Sequence, residues 1–494
     1  MQILRYFFQT IICYGVLSAQ ELPHGKPNFF QMKENPQIKE FTLVTGAIIP
    51  QYVIDEIEPV KHLSYDIYHL RIKTDRDDPV RFELIPEKFS DGMELFFIDL
   101  EINGWVGPYS KKVMRANDQM VSGGLNSKNI LIEVSVPQSN EMRFPVGSMV
   151  IPRGKPDNFD EIMQQSRKRK NLSVPHEIKE NGPGDPESNG VRNHRDHFRN
   201  ILICGYWPPT NEMVRPFSTN EELNPDGWIG DNWEQRGYDV HSYFPTFDPP
   251  DCEVCGQGQG DLEVDYQDTS EDWWNIVDSI NPIAIITFSR GGIDYRWELE
   301  WMTTNWEASQ WIEDFEEPLL PTPSPPDSTW PYNAPRYSSL PMDSIEAAMN
   351  LSGLNLYPVI DYTFGTGNYL SEYLGYHGVW YKAQMDSLNQ IDRSCHLAGH
   401  IHVGGLADWD EAIEAVNITL REVIEVLDEE QVAMGDVNFD GSVSILDLYF
   451  IISYLMQEIE FDYNTMLIAD VTYDQMIDVF DILQLSDVLS NSQQ

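Results

Sequence analysis

Between residues 436 and 447 the chain reads Asp-Val-Asn-Phe-Asp-Gly-Ser-Val-Ser-Ile-Leu-Asp. Side-chain oxygens fall at the first, third, fifth, ninth and twelfth places: Asp436, Asn438, Asp440, Ser444 and Asp447. Gly441 sits sixth, where such a loop turns sharply, and Ser442 offers its carbonyl at the seventh. Calcium takes about six to eight hard oxygens on a flexible wrap, and this spacing delivers them. The pattern recurs 34 residues later in Asp470, Thr472, Asp474, Asp478 and Asp481, with Met476 supplying the carbonyl. Gln475 replaces the glycine and Thr472 the asparagine, so the second loop is expected to bind more weakly.

A second set of residues has the types needed for hydrolysis. A hydroxyl nucleophile needs a base within hydrogen-bond reach, and the base needs an orienting carboxylate. Ser371 stands at the expected start of a helix, where backbone N–H groups are available to an oxyanion. His402 is placed at a strand end as the base and Glu300 as its orienter. Glu298 shares the strand face of Glu300 and is the alternative, with register deciding between them. His400 and His402 point to the same side of their strand, so a metal pair is a further reading. For Ser371 alone the plain alternative is a helix-terminus hydroxyl.

Three kinds of element must position these groups. Residues 22–152 mix apolar and polar positions at about period two, as in Leu63 to Ile72 and Ile130 to Val136. Turn formers such as Asp91-Gly92 and Asn103-Gly104 separate the runs, and an antiparallel β-sandwich is expected. Residues 153–198 change character. They hold the basic cluster Arg167-Lys-Arg-Lys170, read as a processing site or a solvated face, and the stretch Asn181 to Gly190, and are expected to be a linker. Residues 199–428 alternate strand and helix: Ile201 to Gly205, Glu271 to Ile280, Ile283 to Phe288, Asp343 to Leu351, Leu356 to Asp361, Tyr369 to Met385, Cys395 to Val403, Asp408 to Leu427. That order implies an α/β unit with a mostly parallel sheet covered on both faces. Glu316 to Pro335 is Pro-rich and reads as an irregular surface loop. Short helices are expected after both oxygen-rich loops, at Leu448 to Leu455 and Ile482 to Leu489.

The chain of 494 residues carries 33 Lys and Arg against 79 Asp and Glu, a net charge of −46. Such a polyanion repels phosphate backbones, which argues against nucleic acid as a partner. Arg5, then the apolar run Tyr6 to Leu17, then Ser18 and Ala19 have the order of a signal peptide over residues 1–19. A secreted, extracellular product follows, with no later apolar run long enough for membrane insertion after signal removal. Of five cysteines, Cys204, Cys252, Cys255 and Cys395 remain beyond the signal, too few for a disulfide scaffold. Cys252-Glu-Val-Cys255 reads as a local disulfide or half a zinc site.

Two family resemblances rest on these residues. The paired EF-hand-like calcium loops, each followed by a helix and closed by Asp at the twelfth place, resemble the type I dockerin over residues 434–490. That resemblance implies a small α-helical module that binds a cohesin domain on a scaffold, a cell surface or another secreted chain.

The central unit resembles the pyroglutamyl-peptidase I family of cysteine peptidases over about residues 199–428. The matching segments are Ile201-Leu-Ile-Cys-Gly-Tyr-Trp-Pro-Pro209, Ile285 to Gly292 followed by Glu300 and Asn305, Gly367 to Tyr376, and Ala398-Gly-His-Ile-His-Val403. The resemblance implies Glu300 and His402 as catalytic residues, with Ser371 where the family has its nucleophilic cysteine and Glu372 where it has asparagine. Trp207 and Pro209 alter the loop that shapes the family's pyroglutamate pocket. The expected product is a secreted peptidase- or amidase-like hydrolase with a β-rich accessory domain and a dockerin. The alternative is a non-catalytic binding or structural protein on the same folds.

Overall fold

The computed structural model describes residues 25–32, 38–74, 79–114, 120–150, 154–167, 175–176, 199–252, 256–322, 327–363, 367–388, 395–429, 432–433, 435–438, 443–461, 463–472 and 476–491. The expected signal segment lies outside them, as do Asp440, Ser442, Asp474 and Cys255.

The N-terminal part is two facing sheets. The larger has the order β1 (Lys39–Thr42), β3 (Tyr65–Lys73), β8 (Asn129–Pro137), β5 (Glu94–Asp99) and β6 (Gly104–Ser110), with β2 (Val60–His62) also paired to β3. The smaller runs β7 (Met120–Val121), β4 (Arg81–Leu84), β9 (Val146–Val150). Helix α1 (Gln51–Asp55) adds Val53 and Ile54 to their shared core. Alternation decides which side chains meet. Phe82 of β4 stacks on Phe97 of β5 with ring centroids 4.7 Å apart, and Ile72, Leu95, Ile132 and Val134 fill in around them.

Part of the expected linker is ordered structure. Helix α2 (Phe159–Arg167) buries Phe159 and Met163, four residues apart and so on one face, in the core of the central unit. Arg167 at its end donates to the carbonyls of Ser339 and Leu340. The cue was this i, i+4 apolar pair, masked by the charged residues around it. Further on, β10 (Pro175–His176) pairs in parallel with β19 (Val432–Ala433).

The central sheet has the order β12 (Asp239–Tyr243), β11 (Asn200–Cys204), β13 (Ala284–Arg290), β18 (Leu397–Val403), β14 (Arg296–Glu300), β17 (Tyr357–Asp361). The first four are parallel to one another; β14 runs antiparallel to β18 and parallel to β17. Strand β11 shows why these strands are apolar throughout. Ile201 and Ile203 enter one core with helices α3 (Thr210–Val214), α5 (Met342–Ser352) and α7 (Trp409–Glu429). Leu202 and Cys204 enter another with α4 (Tyr266–Ile280) and α6 (Leu370–Leu388). A hairpin of β15 (Met302–Thr304) and β16 (Pro335–Tyr337) brackets the Pro-rich stretch. That stretch is tied down by buried Asp327, which accepts from Arg336 and Tyr376, each at 2.7 Å. Cys204 and Cys395 are buried free thiols, whereas Cys252 is in a disulfide.

The C-terminal part packs α8 (Ile445–Leu455), α9 (Tyr463–Ala469) and α10 (Val479–Asn491) around Ile451, Ile468 and Leu485. Helix α9, before the second loop, was not expected. The chain is thus multi-domain, with mixed sheets and helices. No helix among the described residues is long and apolar enough to cross a membrane.

Candidate active site and metal loops

The antiparallel run of β14 beside β18 creates the site. It sets Glu298 opposite His402 and Glu300 opposite His400. The His402 ring leans diagonally, however, and its Nδ1 shares a hydrogen bond of 2.6 Å with Glu300 Oε1. The Glu300 side chain is 3% exposed and that of His402 14%, so the pair is buried with the imidazole toward the open side. Burial pushes the Glu300 carboxyl well up despite the opposing pull of His402. For His402, burial works downward, but the hydrogen bond it donates to Glu300 and the charges of Glu300, Glu298 and Glu372 outweigh it and hold the ring above its ordinary value. Both directions say that the pair keeps its bridging proton beyond the usual imidazole range.

Glu298 has a different role. It takes Arg296 Nη1 at 3.2 Å and Arg81 Nη2 at 3.3 Å, and Arg81 also reaches Asp361 Oδ2 at 2.7 Å. Burial would raise its carboxyl, but these two guanidiniums hold it below the usual range. Donor atoms of Glu298, Glu300 and His402 all lie within 4.8 Å of one another, the spacing of a metal cluster. The two arginines already supply Glu298 with the positive charge that a metal ion would bring, so the set does not fit one.

Ser371 is the second residue of α6 and is partly exposed. It lines the same cleft as Glu300 and His402. Among the described residues no hydrogen bond joins it to His402. Glu372, beside it, is fixed elsewhere, accepting from Thr304 N and Trp306 Nε1 at 2.9 Å each. His400 is buried and 4.7 Å from His402 between ring centroids. Thr287 Oγ1 donates to Gly399 O, so His400 Nδ1 donates to Thr287 at 2.8 Å, and Nε2 accepts from Ser289 at 2.9 Å. Burial and the neighbouring His402 push His400 well below the ordinary value. His400 is therefore a satisfied core histidine rather than a metal ligand.

Sequence reasoning missed Ser289, Arg296, Asp361 and Arg81 around this cleft. Arg81 comes from the N-terminal sheets, together with Val106 and Tyr109 of the cleft wall. Nothing in its strand, Arg-Phe-Glu-Leu, marks it out, since alternation alone assigns Arg81 to a solvent face.

The two C-terminal loops repeat the same internal bonds. Asp447 Oδ2 accepts from Ser444 N at 2.8 Å and its Oδ1 from Asn438 N at 3.2 Å. Asp481 Oδ2 accepts from Asp478 N at 2.7 Å and its Oδ1 from Thr472 N at 3.0 Å. Both carboxylates, and Asp436, are buried inside their loops. Asp470, Thr472 and Asp478 are half-buried, with Met476 exposed at the rim. Buried carboxylates gathered without a cationic side chain fit a hard cation such as calcium.

A family model for the dockerin type I domain matches residues 434–490. This stretch is a type I dockerin domain. Such domains bind calcium and bind cohesin domains. No curated protein matches the chain. Among solved structures, pyrrolidone carboxyl peptidase from the hyperthermophile Pyrococcus furiosus, described with its Cys-free mutant, is similar at 16% identity. The match covers 46% of this chain and 99% of that one, with a TM-score of 0.32. A mutant of the same enzyme gives 15% identity, the same coverage and the same TM-score. The dockerin's helices are only partly apolar at the surface: Ile452 and Leu455 of α8 are exposed. Leu448 is buried, and Ile482 and Leu489 pack on the dockerin core. Ile445, Leu446 and Tyr449 are also exposed, as are Val479, Phe480 and Leu483 at the same places of the second repeat.

Proposed function

We propose that this is a secreted hydrolase acting on an amide or ester and carried by its dockerin onto a cohesin-bearing partner. The observation that carries the catalytic half is the 2.6 Å hydrogen bond between His402 and Glu300, in a cleft that Ser371 also lines. In the reaction the Ser371 hydroxyl gives its proton to His402 as its oxygen bonds to the substrate carbonyl carbon. The N–H groups of Leu370 and Ser371 at the start of α6 take the oxyanion, those of Glu372 and Tyr373 being bound to the Tyr369 carbonyl. His402 passes the proton to the departing amine or alcohol as that bond breaks, and water repeats the steps to free the acid and Ser371. Glu300 holds the ring and stabilises its charged form.

In the dockerin, Asp436, Asn438, Asp440, Ser444 and Asp447, with the Ser442 carbonyl, would hold one calcium. Asp470, Thr472, Asp474, Asp478 and Asp481, with the Met476 carbonyl, would hold a second. The duplicated apolar side chains named above are the cohesin-facing surface. The expected signal peptide and the extracellular setting of dockerin partnerships support secretion.

A second reading, a binding module without chemistry, is favoured by the missing Ser371–His402 hydrogen bond. A broad amidase and esterase screen with Ser371→Ala as control decides between them. A drop of about 1000-fold or more in the variant is expected. Equal activity of the variant and the native chain on every substrate would leave only the binding module.

A further inference from the structure

The cleft is walled by two units, and the contact between them is built rather than incidental. Trp105 and Ile293 exchange both backbone hydrogen bonds, at 2.9 and 2.8 Å. Close approach is possible because each side presents glycine. A Cβ on Gly104 would collide with the Ile293 carbonyl, and one on Gly292 would lie 2.7 Å from Val106 Cγ1. Arginines cross the boundary both ways: Arg296 donates to Gly124 O, and Arg81 to Asp361 and Glu298.

Arg81 sits between Val80 and Phe82, both fully buried, and is itself 4% exposed. Its Nη1 donates to Ser122 O at 3.1 Å, which fixes the guanidinium plane from its own unit. It is therefore held rigid while reaching under a neighbour's site. There it meets Asp361 of β17 and Glu298 of β14, next to Glu300 on the same strand face.

We propose that the N-terminal β unit is part of the catalytic apparatus, with Arg81 the positioning residue that fixes Glu298 and Asp361 beside the His402–Glu300 pair. The proposal takes the roles of His402 and Glu300 from the hydrolase reading; the coupling itself does not depend on turnover. The charged groups around His402 are Glu300, Glu298, Asp361 and Glu372 against Arg81, Arg296 and Arg290 of the neighbouring β13, with His400 the neighbouring imidazole. Removing Arg81, one of these three guanidiniums and one of the two that contact Glu298, leaves the carboxylates under-compensated, and the pair then holds its proton to higher pH.

The test is histidine-labelled NMR titration of the full chain in calcium, with His402→Asn assigning the signal. In Arg81→Gln the His402 midpoint should rise by about one pH unit. Arg81→Lys, which keeps the charge but loses the fork, should restore most of it. Should Arg81→Gln fail to fold, Asp361→Asn removes one carboxylate and should move the midpoint down. Midpoints unchanged in folded Arg81→Gln or in Asp361→Asn would overturn the proposal. The titration needs no substrate, so a chain in which Ser371→Ala costs no activity would sink the hydrolase reading without touching this result.

Discussion

A serine hydroxyl is far less acidic than a thiol, so Ser371 can attack only while His402 is free to accept a proton. The His402 ring is held above its ordinary value of 6.5, and the base form therefore appears later on the pH axis than for an ordinary imidazole. The sign follows directly: protonated His402 is inactive as a base, so the rate should rise with pH through the raised midpoint. A kcat/KM profile still climbing above neutrality is expected for any accepted amide or ester. A profile already flat at pH 6 would contradict it. At this scale the sequence carries residue types better than their pairings. Glu300 and Glu298 share a strand face, and only the diagonal lean of His402 across antiparallel strands gives Glu300 the hydrogen bond. Arg81 was illegible because its contacts lie more than two hundred residues away in another unit.

Elements were legible where one period dominates. The buried run Ile201 to Cys204 and the amphipathic α7 declare themselves, because burial on both faces or on one stripe sets the pattern. Strand direction does not show in a period, and the antiparallel β14 that brings Glu300 to His402 could not be read from it. Helix α2 failed for another reason. Its first turns carry Asp160 and Glu161, and three apolar residues, Phe159, Ile162 and Met163, are too few to stand out beside a basic cluster. Phe159 and Met163 nevertheless anchor it. Phe159 is 2% exposed and tilts against Trp301 with ring centroids 5.7 Å apart. Phe159→Ala should cost about 3 kcal/mol in denaturant unfolding of the central unit. A change of a few tenths would mean that residues 159–167 behave as the linker their composition suggests.

At the scale of the molecule, the dockerin differs from the rest in what holds it together. The two larger units have deep apolar cores and share a boundary of backbone bonds and crossing arginines. Among the described residues the dockerin has a core of seven buried hydrophobics and, in its loops, carboxylates from Asp436, Asp447 and Asp481 packed out of water. In a chain of net charge −46 no surplus of cationic side chains offsets that repulsion. A bound cation would, and by linkage it stabilises the folded dockerin by a few kcal/mol at saturating calcium. Removing calcium should therefore act locally. Calorimetry of the full chain is expected to show a dockerin transition that falls steeply in chelator and returns with added calcium. The transition of the two larger units should stay within a degree or two, since the charge set of the His402 cleft does not fit a metal ion. Cohesin binding should vanish with the first transition, while any Ser371-dependent hydrolysis persists. A chelator that lowers every transition together would instead mean that the dockerin and the larger units unfold as one cooperative block, and a chelator that lowers none would mean that its loops fold without a cation.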